Sequence, residues 1–395
     1  MALSIALLVL LSLGLDHLLR RLKVPGLVGM LLVGVLLGPH LLDLLSPSLL
    51  SVSSDFRRIA LILLLLRAGL MIKPEQLRRI GGQVLLLACV PTLLEVAVLG
   101  LLGVHLLGLS WPSALVLGSV IAAVSPAVVV PAMADYQQRI KGRSPVPTLL
   151  LAASPLDNVF AIVLFGVLLS VAQGEREHLA WRLAELPLAL LTGSLVGSLL
   201  GQRLYRLFQR FDPRATKRAL IVICLAIILV AGEEMLAHWV PFSGLVAVMA
   251  MAFVILRRSE VFAAEISLKL AKMWILAEIL LFVLVGAQVD VPLLWHTGLA
   301  GIALIAGGLV ARSVGVWLAL LGSALSRGER LVCVAAYLPK ATVPAAIGAT
   351  PLAVGLAGGE TILAIAVLAI AVTAAPGAML LERAVARYLT AENAA

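Results

Sequence analysis

The chain has 395 residues, 62% of them apolar and only 13% charged, with a mean hydropathy of +1.11. Soluble domains carry roughly 45–50% apolar and about 25% charged residues, so this composition excludes that class. The net charge of +9 is spread over short segments between apolar runs and forms no aromatic-studded patch, which speaks against a nucleic-acid partner.

The apolar runs are rich in Leu, Ala and Val and lack period-two alternation, so they read as membrane helices and not as barrel strands. A helix crosses a bilayer in about 20 residues. The first run, Leu3–Leu19, has no basic region before it, and Arg20, Arg21 and Lys23 follow it. That order is the reverse of a cleaved signal peptide and predicts a retained first helix. Next come Gly26–Leu41, Phe56–Ile72, Ile80–Leu106, Trp111–Ala134, Val146–Ala172 and Leu186–Leu204. The second half supplies Ala219–Leu236, Val240–Leu256, Leu268–Val289, Leu293–Leu325, Leu331–Leu352 and Thr361–Tyr388. The expected fold is an all-α polytopic membrane protein of about thirteen spans. Cys89, Cys224 and Cys333 fall inside spans and read as small buried hydrophobes, with no disulfide or metal framework.

Segments after odd-numbered spans hold most Lys and Arg, such as Lys73, Arg78 and Arg79, or Arg139, Lys141 and Arg143, or Arg203, Arg206 and Arg210, or Lys269 and Lys272. Those after even-numbered spans hold Arg57, Arg58, Arg176 and Arg182. The positive-inside rule then predicts an external N-terminus and a cytoplasmic C-terminus. The membrane expected is a bacterial inner membrane.

The fifth span contains Ser125-Pro126-Ala127-Val128-Val129-Val130-Pro131, and the twelfth contains Pro339-Lys340-Ala341-Thr342-Val343-Pro344. Paired prolines remove helical bonds and favour unwinding. One such helix reads equally as an ordinary kink. Two, seven spans apart and so oppositely oriented, point to the inverted halves of a transporter with its site near the midplane.

A charge at a helix centre costs about 2.5–3.5 kcal/mol on insertion scales. Glu95, Asp157, Glu278, Arg312 and Lys340 therefore each need a reason. Glu95 and Arg312 lie at matching depth and are expected to pair, either as a clip between helices or as part of a site. Asp157-Asn158, with Ser125, Ser154 and carbonyls freed by unwinding, offers oxygen ligands suited to a hard cation such as Na⁺ or Li⁺. A carboxylate there holds a proton or a dehydrated cation but not both; the plainer reading is an Asp hydrogen-bonded for packing. Lys340 is expected to place its ammonium over the carbonyl end of a half-helix. Arg67 reads as a snorkelling side chain near a helix end. Glu233 and Glu234 read as solvated near a membrane face, and no nucleotide loop or nucleophile elbow supports an enzyme.

Five segments carry a resemblance along almost the whole chain: Val24-Pro25-Gly26-Leu27-Val28-Gly29, Leu66-Arg67-Ala68-Gly69-Leu70, the Ser125–Pro131 string, Ser154-Pro155-Leu156-Asp157-Asn158-Val159, and Leu338-Pro339-Lys340-Ala341-Thr342-Val343-Pro344. The sequence resembles the monovalent cation:proton antiporter superfamily, and within it the NHA branch shared by animal sodium–proton antiporters and bacterial relatives. The resemblance implies an NhaA-like homodimer in which a core domain moves against a scaffold. It implies a core of residues 80–172 and 293–390, a scaffold of 1–79 and 207–292, and a linker helix at 173–206. It implies sodium or lithium exchange for protons by alternating access, with no cofactor, in a lipid bilayer.

The family's sixth helix carries Asp-Asp or Asn-Asp, the second residue being the ion-binding carboxylate. Here that residue is Asn158 and the carboxylate is Asp157. Two expectations follow: exchange through Asp157 alone, or a chain whose transport carboxylate is neutralised and which binds cations without cycling. Sodium-coupled symport of an organic anion is a third reading, because related broken-helix folds do this.

Overall fold

The computed structural model of the chain describes residues 1–21, 26–72, 74–140, 144–174, 179–236, 240–288 and 291–389. Lys23, Val24, Pro25, Lys73, Lys141, Arg143 and Arg176 lie outside the described residues, as do the side chains of Arg20, Arg21, Leu27, Val28, Arg139, Arg182 and Glu234.

The described elements are all helices. They are α1 (Ala2–Arg21), α2 (Gly26–Leu37), α3 (Pro47–Ser51), α4 (Ser53–Gly69), α5 (Pro74–Leu107) and α6 (Trp111–Ile121). There follow α7 (Pro126–Ile140), α8 (Val146–Ala172), α9 (Leu179–Phe211), α10 (Ala215–Leu236), α11 (Gly244–Arg258) and α12 (Glu260–Gly286). Last come α13 (Val291–Ala319), α14 (Arg327–Ala336), α15 (Thr342–Ile347), α16 (Thr350–Ala353) and α17 (Gly359–Ala384), with a π-helical turn at Val385–Leu389.

Among the described residues, seven helical stretches are long and apolar enough to cross a bilayer. The fold is thus an all-α polytopic membrane fold. Three of the expected spans fall short by length: α2, α4 and α11 have 12, 17 and 15 residues, against the roughly 20 a full crossing takes.

The fifth and twelfth spans, singled out for their paired prolines, are both interrupted. After α6 the helix stops, and it resumes as α7 with Pro126 as its first residue, where the missing N–H would have had no helical partner anyway. Unwinding therefore lies before Pro126 and not between Pro126 and Pro131; Pro131 sits inside α7. After α14 the chain leaves the helix through Pro339 and Lys340 and re-enters it at Thr342, with Pro344 inside α15. The two breaks meet, because the Ser125 amide donates to the Pro339 carbonyl at 2.9 Å.

Small residues set how closely the helices approach. A Cβ on Gly315 of α13 would stand 2.6 Å from Pro91 Cα of α5, so these two helices pack backbone to backbone. One on Gly197 of α9 would stand 2.1 Å from the Ala247 carbonyl oxygen of α11. Large apolar side chains such as Leu191, Leu195 and Leu299 face outward, as lipid contact permits.

Some boundaries differ from the expectation. Ser259 caps α12 by accepting from the Phe262 amide at 3.2 Å, so Lys269 and Lys272 lie on that helix and not in a loop. α9 runs on to Phe211 and likewise carries Arg203, Arg206 and Arg210. Helices here outlast their apolar runs because hydrogen bonding, and not hydropathy, ends them. Of the three cysteines only Cys333 is buried; Cys89 is half-buried and Cys224 exposed. An apolar side chain gains as much from lipid as from protein, so hydrophobicity alone does not place it inside.

Candidate functional site

The close approach of α5 and α13 brings Glu95 against Arg312. Thr92 lies three residues before Glu95, one turn away on the same face, and just after Pro91. From α8 come Ser154, Asp157 and Asn158, while the unwound stretches between α6 and α7 and between α14 and α15 contribute backbone and Lys340.

Arg312 Nη1 donates to Glu95 Oε2 at 2.8 Å and to the Ala122 carbonyl. Its Nη2 donates to Asp157 Oδ2 at 2.7 Å. Lys340 Nζ donates to the same Glu95 Oε2 at 2.7 Å. Asp157 accepts further bonds from Thr92 Oγ1 at 2.5 Å and from the Val124 amide at 2.8 Å. The Tyr337 ring lies 5.0 Å from the Arg312 guanidinium carbon. Glu95, Asp157, Arg312 and Lys340 are each at most 1% exposed, two of either sign, so the cluster is neutral when all are ionised. Burial of charge is tolerable on those terms, with each ion paired and hydrogen-bonded.

The Asp157 carboxylate accordingly has donors on both oxygens. The neighbouring oxygens do not: Asn158 Oδ1, Ser125 Oγ, Ser154 Oγ and Thr342 Oγ1 are buried without a protein partner. Ser154 and Asn158 are four residues apart on α8 and share a face. These are neutral oxygen donors of the kind a hard monovalent cation takes.

Glu95 and Arg312, paired on depth alone, do form an ion pair. Lys340 departs from expectation: its ammonium reaches Glu95 and not a half-helix carbonyl end, since a buried carboxylate attracts it more strongly than a dipole terminus. Its amide donates to Thr373 Oγ1 at 3.0 Å, which anchors the unwound stretch to α17. Glu278 is half-buried on α12, and Glu233 accepts from the Gly244 amide at 2.8 Å, capping α11. Arg67 lies with its guanidinium carbon 6.0 Å from the Trp274 ring.

Sequence reasoning passed over Thr92, Tyr337 and Thr373. A signal existed for Thr92, a hydroxyl one turn from an intramembrane acid. None existed for Thr373, which becomes relevant only through the return of α17 against the break.

The transmembrane sodium/hydrogen exchanger family matches residues 4–383. The chain belongs to that family. The exchanger is 33% identical over 373 residues to sodium/hydrogen exchanger 9B2 of Mus musculus, covering 90% of this chain and 67% of that protein. With human sodium/hydrogen exchanger 9B1 it shares 30% over 346 residues, covering 83% and 65%. Its fold is similar to that of the sodium proton antiporter MjNhaP1 from Methanocaldococcus jannaschii, with a TM-score of 0.78 at 23% identity over 97% of this chain and 95% of that one.

Family membership makes the chain a membrane exchanger and not an enzyme, in agreement with the motif resemblance. It also corrects the expected compartment. The similar proteins come from animals and an archaeon, which overturns assignment to a bacterial inner membrane. Hydropathy and loop charge report a bilayer without saying whose.

Proposed function

We propose that the exchanger moves Na⁺ or Li⁺ in one direction and H⁺ in the other by alternating access, with the cation held where the two broken helices cross. The observation that carries this is the neutral, fully buried cluster of Glu95, Asp157, Arg312 and Lys340 beside four unpartnered oxygens. Asn158, Ser125 and Ser154 supply neutral ligands, and Asp157 is the carboxylate for which cation and proton compete. Thr92, Val124 and Arg312 already engage both carboxylate oxygens, so cation and proton contend for the acceptor capacity that remains. Arg312 stays protonated throughout, because guanidinium does not titrate in proteins. One carboxylate gives a 1:1 electroneutral cycle as the simplest stoichiometry.

The proposal extends to thirteen spans in inverted halves, counting α6 with α7, and α14 with α15, as single broken spans. It includes a core of 80–172 and 293–390 moving against a scaffold of 1–79 and 207–292, with 173–206 as linker, in a homodimer. The packing of α5 on α13 within one group, and of α9 on α11 outside it, supports this division.

A second reading has a specific observation behind it. Asn158 stands where the family places its second carboxylate, and Asp157 already accepts three hydrogen bonds, which favours a chain that binds cations without cycling. Proteoliposomes containing the full chain and an interior pH dye separate the two readings. Proton movement on adding Na⁺ or Li⁺, above that with choline, supports exchange. Sodium-dependent thermal stabilisation with no proton movement supports the binding-only reading and ends the first.

A further inference from the structure

A cavity of about 330 Å³ is lined by Asp16 of α1, Glu278 of α12, Asp135 of α7 and Glu382 of α17, and it reaches Ala127 and Val128 at the start of α7. It lies on the side where α7 and α17 end. The end of α4 is on that side too, since Gln137 Nε2 donates to the Met71 carbonyl at 3.1 Å. The start of α4 is at the opposite end of that 17-residue helix. There Arg57 Nη1 donates to the Ala345 carbonyl of α15 at 3.4 Å, joining α4 to the short half-helix beyond the crossing.

Ala345 is in the last turn of a six-residue helix. Carbonyls there lack intrahelical donors and carry the negative end of the helix dipole, so they attract a cation. Arg57 brings a fixed positive charge to that end. On one side of the crossing, therefore, carboxylates line a cavity leading to the broken helix. On the other, a guanidinium from α4 ties down the half-helix that would have to part from it.

We infer that Arg57 is a positioning residue, a latch that holds the crossing open towards the carboxylate-lined cavity and closed on the Arg57 side. The inference rests on the exchange reading above, in that α4 and α15 belong to the two bodies proposed to move. Exposing the site to the Arg57 side then requires the Arg57–Ala345 bond to break. A lysine keeps the charge at the dipole end; glutamine does not.

The test uses the full chain in proteoliposomes with Cys89, Cys224 and Cys333 replaced by alanine. One reporter, Ile347→Cys, sits on the Arg57 side, and a second, Ala132→Cys, lines the cavity. Each is labelled with a membrane-impermeant maleimide from its own face. In Arg57→Gln, labelling of Ile347→Cys is expected to rise about fivefold, as loss of a charge-assisted hydrogen bond allows, while Ala132→Cys slows. Arg57→Lys is expected to stay near the parent rates. Unchanged labelling at Ile347→Cys in Arg57→Gln overturns the latch, and so does a rise at both reporters, which is general loosening. Arg57→Met, which keeps the stem packing, replaces the glutamine variant if that does not purify folded. Labelling needs no flux, so proton movement measured in the same vesicles tests the exchange reading separately.

Discussion

Arg312 Nη2 stands 2.7 Å from Asp157 Oδ2, and neither side chain has any exposed surface. Removing one partner of such a pair leaves an uncompensated buried charge, which costs about 3–5 kcal/mol. Arg312→Met is therefore expected to lower the melting temperature in detergent sharply. Glu95 retains Lys340, so most of the loss falls on Asp157. The double variant Arg312→Met with Asp157→Asn is expected to recover much of the stability, a non-additivity that a double-mutant cycle reads directly.

Asn158→Asp adds a carboxylate to a cluster that is already neutral. Affinity for a cation rises with the charge of its ligands, so the apparent Kd for Na⁺ is expected to fall about tenfold or more. Without sodium the same variant is expected to melt earlier than the parent, because its new charge has no partner. Melting curves with and without NaCl, against choline chloride, give both quantities.

Thr92 Oγ1 donates to Asp157 Oδ1 at 2.5 Å. A hydrogen bond to a charged group contributes about 1.5–3 kcal/mol. Thr92→Val keeps the shape and loses the donor, and it is expected to destabilise by that order; Thr92→Ser is expected to stay near the parent. Equal melting temperatures for the valine and serine variants would show that the hydroxyl does not hold Asp157.

Gly197 and Gly166 make a matched pair of substitutions. A Cβ on Gly197 would meet the Ala247 carbonyl oxygen at 2.1 Å, whereas one on Gly166 meets nothing within 4 Å. Gly197→Ala is expected to cost about 1–3 kcal/mol by forcing α9 from α11. Gly166→Ala is expected to be neutral or slightly stabilising, since alanine is the better helix former. Thermal melts of the two variants check the contrast.

The membrane fold was legible because it is written in hydropathy, and Val146–Ala172 is the span of α8 to the residue. The pairing of Glu95 with Arg312 was legible because intramembrane charges are few and must meet. Two features were not. The partner of Lys340 depends on how far the unwound chain carries its backbone towards α5, which no residue pattern records. That Asp157 has donors on both oxygens depends on Thr92 from α5, the Val124 amide and Arg312 from α13 converging on it. The compartment was misread because a bilayer leaves the same hydropathy in any lineage.

The most direct test compares sodium-driven proton movement in proteoliposomes carrying equal amounts of the parent chain and of Asp157→Asn, both shown to be folded. Exchange in the parent and none in Asp157→Asn is the result expected if cation and proton compete for that carboxylate. Equal exchange in the two would contradict it and move the proton-carrying step to another group.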